Sequence, residues 1–208
     1  MSAWWNQPIV YELDPDRITD REIEKLGRSA IDSNELFIED LEVSDDDVVG
    51  EVGRGFKYLI GGLNSERIVV GLEGVGIGQA ALELATKYAN DRVVFDRPIG
   101  QNQAVAHPLA DSWIRLESAR LMAMHAAELY DDHQNCGIQA AAAKYLGAEA
   151  GFDACDRAMS THGGYAYAKE YHVERLWREA RLLRNAPFAQ EMVLNYISTQ
   201  ALKLPRAY

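Results

Sequence analysis

Cysteine is scarce in this chain: two residues in 208, Cys136 and Cys155. Two are too few for a disulfide framework, and neither stands at metal-ligand spacing from a partner. A reduced, cytoplasmic compartment fits. Basic residues are also in short supply, with 21 Lys and Arg against 32 Asp and Glu and a formal charge of −11. That balance argues against nucleic acid, whose phosphates need a basic patch, and against an anionic membrane surface. The N-terminal MSAWWNQPIV lacks the basic flank and long apolar run of a signal peptide. No apolar run approaches the roughly 18 residues expected of a membrane span. Internal repeats and low-complexity tracts are missing as well. What is present is 48% hydrophobic residues with 25% charged, enough for one ordinary domain with a core.

The first fifty residues read differently from the rest. IVYEL (Ile9 to Leu13) and ELFIEDLEV (Glu35 to Val43) carry strand signals, separated by polar stretches such as DPDRITDRE. Glycines 50, 53 and 55 then mark a loop. From Phe56 the pattern turns helical. Leu72, Val75, Leu82, Ala85 and Ala89 share one face, and a longer stripe runs from Val105 to Tyr130. Ala140 to Met159, Val173 to Leu183, and a segment carrying Met192 and Tyr196 follow. Four to six helices with short connections predict a mainly α fold, an antiparallel four-helix bundle over 53–208. Residues 1–52 read as the remnant of an incomplete β-domain, since so few strands cannot make an independent sheet.

Four stretches could carry chemistry. NSERI places Glu66 at the start of a helix, with Asn64 or Ser65 as its cap; a carboxylate there is favoured by the helix dipole, or it is a base. Gly74, Gly76 and Gly78 imitate a dinucleotide loop, but no strand precedes them, so close helix packing is the reading. DRVVFDRPIGQ marks a turn between helices, with Arg92 or Arg97 available to an anion. The pair Gly163 and Gly164 in STHGGYAY serves either a tight turn or a backbone approach to a ligand. His162 beside them, alone, makes no metal site.

Taken in order, KLG, ELFIEDLEV, GEVGRGF, ERI, KYANDRVVFDRPIGQNQ and HGGYAYAKEYHVERLWREAR resemble the acyl-CoA dehydrogenase family, from about Tyr11 to Tyr208. The resemblance implies the last strands of that family's middle β-domain followed by its C-terminal helical bundle. It implies FAD as cofactor and oxidation of an acyl-CoA to the 2,3-enoyl-CoA. The partners implied are an electron-transferring flavoprotein and either further copies of the chain in a homo-oligomer, a dimer or tetramer, or a partner carrying the missing domains.

The family's common base position falls on Pro187, which cannot accept a proton. A minority, resembling isovaleryl-CoA dehydrogenase, carries its glutamate in an ER segment, and this makes Glu66 the base and Arg67 a substrate contact. The two placements reach the same substrate carbon from different helices. By the same resemblance Arg92 contacts the FAD pyrophosphate across a subunit interface, Phe95 stands beside it, Gln103 lies near the adenosine end, and Gly163 and Gly164 form the cofactor loop. The chain departs from the pattern at Ser160, Ala166 and Asp96, and at LGRSAIDS. Because the family's flavin-ring contacts lie mostly in the middle domain, the chain alone is expected to be inactive. The alternative expectation is a non-catalytic helical assembly module or the silent subunit of a mixed oligomer.

Overall fold

A computed structural model describes residues 18–31, 33–38 and 44–206. The IVYEL segment and the second half of ELFIEDLEV lie outside the described residues. The chain divides into two compact units, 1–63 and 64–208.

In the first unit, β1 (Ile18–Glu22) pairs antiparallel with β2 (Asn34–Ile38), Ile18 opposite Ile38 and Glu22 opposite Asn34. This corrects the reading of DPDRITDRE as a mere spacer. ITDRE has no alternating apolar face, and the backbone ladder, which needs no particular side chains, makes it a strand.

The helix α1 (Gly55–Asp91) begins nine residues before Asn64. Asn64 and Ser65 are therefore interior residues, not caps, and Glu66 lies well beyond the first turn, outside the reach of the helix dipole. The reason is that 55–91 contains no proline. Its glycines each weaken the helix by about 1 kcal/mol, but none removes a ladder hydrogen bond. The segment Tyr58–Asp91, with a hydropathy of 1.5, is also long and apolar enough by length and composition alone to cross a membrane. That overturns the expectation of no such run. Of the apolar window in that segment, 44% is buried within the structure.

A short hairpin follows, β3 (Val93–Val94) with β4 (Arg97–Pro98), turning through Phe95 and Asp96 at φ of 53° and 62°. Then come α2 (Gln103–Asp131), α3 (Gly137–His162), α4 (Val173–Leu183) and α5 (Gln190–Gln200). The chain is mainly α, as its periodicity predicts. The third unbroken helix starts three residues earlier and ends three later than Ala140–Met159.

Glycine sets the central contact of the second unit. A Cβ on Gly74 would meet the Gly147 carbonyl oxygen at 2.4 Å, and one on Gly151 would meet that of Gly74 at 2.3 Å. Gly71 and Gly147 face each other in the same way, so the backbones of α1 and α3 touch. The pairs run in the same order along both helices, and α1 and α3 are therefore parallel. Close packing is thus the role of Gly74, and Gly78 packs against Gly151 and Leu116, whereas Gly76 faces open space. Helix α2 runs opposite to α3. Arg157 crosses from α3 to donate to the Pro108 carbonyl (3.0 Å) and to Asp111 (2.6 Å). Helices α4 and α5 together return along α3, with a break between them. The core between helices is rich in alanine, including Ala119, Ala123, Ala143, Ala154 and Ala158, all without exposed surface. Such small side chains let the helices approach closely.

Candidate functional site

The residues singled out by sequence fall at two ends of the bundle. Glu66 and Arg92 are joined by one helix, and a rise of about 1.5 Å per residue puts them on the order of 40 Å apart. They do not form a single constellation within one chain.

At the first end, Arg67 is 7% exposed while its neighbour Glu66 is exposed. The Arg67 guanidinium donates to Asn64 Oδ1 at 2.9 Å, lies over the Phe188 ring at 4.8 Å, and is 5.7 Å from the Tyr196 ring. Burial lowers its proton affinity, while Tyr196 and the Glu66 carboxylate pull the other way. Phe188 directly follows Pro187. The break at Pro187 and Phe188 and the ER segment of α1 are therefore brought to the same place by the fold. Helical contact order explains this: α5 returns antiparallel along α3, and its start meets the part of α1 that packs on the same stretch of α3.

At the opposite end, Arg92 closes α1 and leads into the hairpin. Its guanidinium is 5.8 Å from the Tyr165 ring. It lines a cavity of about 480 Å³ together with Tyr88, Val94, Ile99, His162, Gly163 and Gly164, among others. Gly163 takes φ +59° as α3 ends, and neither it nor Gly164 has any atom within 4 Å of where a Cβ would stand. The loop thus leaves an open cradle of bare backbone beside a guanidinium. That combination suits a phosphate-bearing group.

Phe95 and Gln103 are not among the residues lining this cavity. Phe95 is 93% exposed at the hairpin tip, and Gln103 is exposed at the start of α2. Of the two arginines offered to an anion, Arg97 instead donates to Asn102 at 2.7 Å. An aromatic wall that sequence reading missed completes the end. His162 stacks on Tyr88 with ring centroids 4.4 Å apart, and Tyr171 and Tyr165 pack around them. The available signal was Tyr88, four residues before Arg92 and so on the same helix face.

The bundle thus carries a guanidinium and glycine cradle at one end and a buried arginine beside an exposed carboxylate at the other. Residues 53–202 match the family model described as acyl-CoA dehydrogenase, C-terminal domain, and the chain belongs to that family, one of FAD-dependent flavoproteins. The acyl-CoA dehydrogenase FadE12 of Mycobacterium tuberculosis is 42% identical over 176 residues, covering 84% of this chain and 45% of that protein. Glutaryl-coenzyme A dehydrogenase, solved in complex with glutaryl-CoA, superposes with a TM-score of 0.85 at 32% identity, covering 94% of this chain and 50% of the other. Butyryl-CoA dehydrogenase from Megasphaera elsdenii gives 0.85 at 29% identity, covering 92% and 51%. The chain spans about half the length of the relatives it matches.

Proposed function

We propose that this chain is the helical portion of an acyl-CoA dehydrogenase, with Glu66 as the base that removes the α-proton of an acyl-CoA thioester. The observation that carries this reading is the meeting of Arg67 with Phe188, since it brings the ER segment close to the position where, by the resemblance, most of the family keeps its base. Pro187 has no proton acceptor to offer, and Glu66 is the carboxylate of the ER segment. Being exposed within one chain, Glu66 is free to face a substrate held by surfaces beyond this chain.

FAD, when bound, supplies the acceptor for the hydride that leaves the substrate's β-carbon. In this chain Arg92 would hold its pyrophosphate, the backbone at Gly163 and Gly164 would let it approach closely, and Phe95 and Gln103 would flank it from the exposed hairpin and α2. The distance between the two ends is consistent with the cross-subunit contact implied for Arg92: one chain would supply the base to one site and the arginine to another. An acyl-CoA and an electron-transferring flavoprotein are the partners this reading requires. A face of α2 with Trp113, Leu121 and Met124 exposed at helical spacing supports assembly into a homo-oligomer, and by itself would also suit a non-catalytic assembly module.

In a preparation that carries flavin and the remaining domains, acyl-CoA should bleach the flavin absorbance, and Glu66→Gln should abolish that bleaching while leaving flavin content unchanged. Undiminished bleaching by Glu66→Gln would falsify the assignment. A protein that oligomerises but stays colourless when supplied with FAD favours the assembly module.

A further inference from the structure

The largest side chain with no exposed surface among the described residues is a lysine, Lys144 on α3. Burying an ammonium is costly unless its protons find partners. Here Nζ donates to the Phe188 carbonyl (2.5 Å) and to Gln190 Oε1 (2.8 Å). Gln190 in turn donates through Nε2 to the Tyr145 carbonyl (3.2 Å) and to Glu149 Oε1 (2.9 Å). Glu149 also accepts from Arg184 Nε at 2.8 Å. The whole break between α4 and α5 is thereby tied to one face of α3. Both direct acceptors of Lys144 are neutral oxygens, so desolvation is not offset by a bonded carboxylate. A methionine of similar volume would fill the slot without that cost. The arrangement is explained better by geometry than by stability.

What the clamp fixes is Phe188. Its carbonyl is held by Lys144, and its ring supports the Arg67 guanidinium at 4.8 Å. Tyr196, two turns further along on α5, flanks the same guanidinium. Arg67 directly follows Glu66. We propose that Lys144 is a positioning residue for the Glu66 end of the bundle: by clamping the Phe188 carbonyl it sets the ring on which Arg67 rests. The clamp itself stands on the geometry; that the end it serves is catalytic rests on the proposed function. Burial brings the Lys144 ammonium down to about 8, with Glu149 and Glu191 acting in the opposite direction. The charged groups around it are Glu149 from α3, Arg184 from the break, Glu191 from α5 and, through the Phe188 ring, Arg67 from α1.

The test is carbon and proton NMR of the full chain, following the δ-methylene signals of Arg67, which aromatic ring currents displace upfield. Lys144→Met keeps the volume and removes the clamp. The folded variant, checked by circular dichroism, should lose most of that displacement. A purely structural lysine would lower the melting temperature and leave the Arg67 signals in place, and that result overturns the proposal. Should that variant fail to fold, Lys144→Leu, which is smaller and also lacks the donor, decides. It should lose the same displacement, and Arg67 signals left in place in the folded Lys144→Leu chain overturn the proposal equally. Neither readout involves activity, so failure here removes the clamp and leaves Glu66 to the flavin-bleaching test. Failure of that test leaves the clamp standing as a structural device.

Discussion

Adding one methyl group at Gly147 should separate α1 from α3. A Cβ there would sit 2.1 Å from the Gly71 carbonyl oxygen and 2.7 Å from its carbonyl carbon, against an ordinary contact of 3.4–4 Å. The helices must therefore part by more than an ångström, and the obstruction is backbone, which no rotamer change can relieve. Overpacking typically costs about 1–3 kcal/mol, and a backbone obstruction belongs at the upper end. Alanine returns about 1 kcal/mol of helix propensity, leaving a net loss of about 2 kcal/mol for Gly147→Ala. For a domain of this size that lowers the melting temperature by roughly 4–8 °C. Gly76 supplies the internal control. It is exposed on α1 with nothing within 4 Å of a Cβ, so Gly76→Ala keeps the propensity gain and should stabilise by about 0.5–1 kcal/mol. Thermal and urea denaturation followed by far-ultraviolet circular dichroism measure both. If Gly147→Ala proves as stabilising as Gly76→Ala, the backbone contact between α1 and α3 is wrong, and so is the reading of these glycines.

Two further outcomes are expected. Cys155 has no exposed surface and its burial pushes the thiol up to about 12. It should resist a thiol reagent in the native chain and react once denatured, and rapid native labelling at Cys155 would contradict the packing of α3. The Asp111 carboxyl is held below the usual carboxylate range, first by its hydrogen bond from Arg157 and then by that from Arg115. A carboxyl depressed in the folded state adds stability above its unfolded value and loses it as pH falls through the folded one. The stability gap between the wild type and Asp111→Asn should therefore shrink on acidification below about pH 4. A gap that stays constant down to roughly pH 3 would show that the ion pair does not couple to folding.

Much of this protein was legible in the sequence. The mainly α class, the hairpin break at FDRPIGQ and the helices over Val173–Leu183 and around Met192 follow from period and punctuation, which are local properties of the chain. The close-packing role of Gly74 and Gly78 also followed, because a helical pattern ran through them where a nucleotide loop would need a preceding strand. The helical pattern from Phe56 held, but Asn64 or Ser65 as a helix cap did not: α1 runs unbroken from Gly55, because its glycines cost only helix propensity where a proline would have broken it. Nor did ITDRE read as a strand, since its pairing lies in backbone groups that composition does not reveal.

The candidate site divides along the same line. Sequence by itself determined which side chains are available, a glutamate in an ER segment, an arginine closing a long helix and a glycine pair closing another, because residue identity is written there. Only the tertiary structure decided which of them meet. It placed Glu66 and Arg92 at opposite ends of one helix, joined Tyr88, Arg92 and the glycine pair around one cavity, and brought Phe188 to Arg67 through a lysine 44 residues away in the chain. Such pairings depend on the direction in which helices return along one another and on how closely their backbones can pack, and neither is encoded in any single stretch of residues.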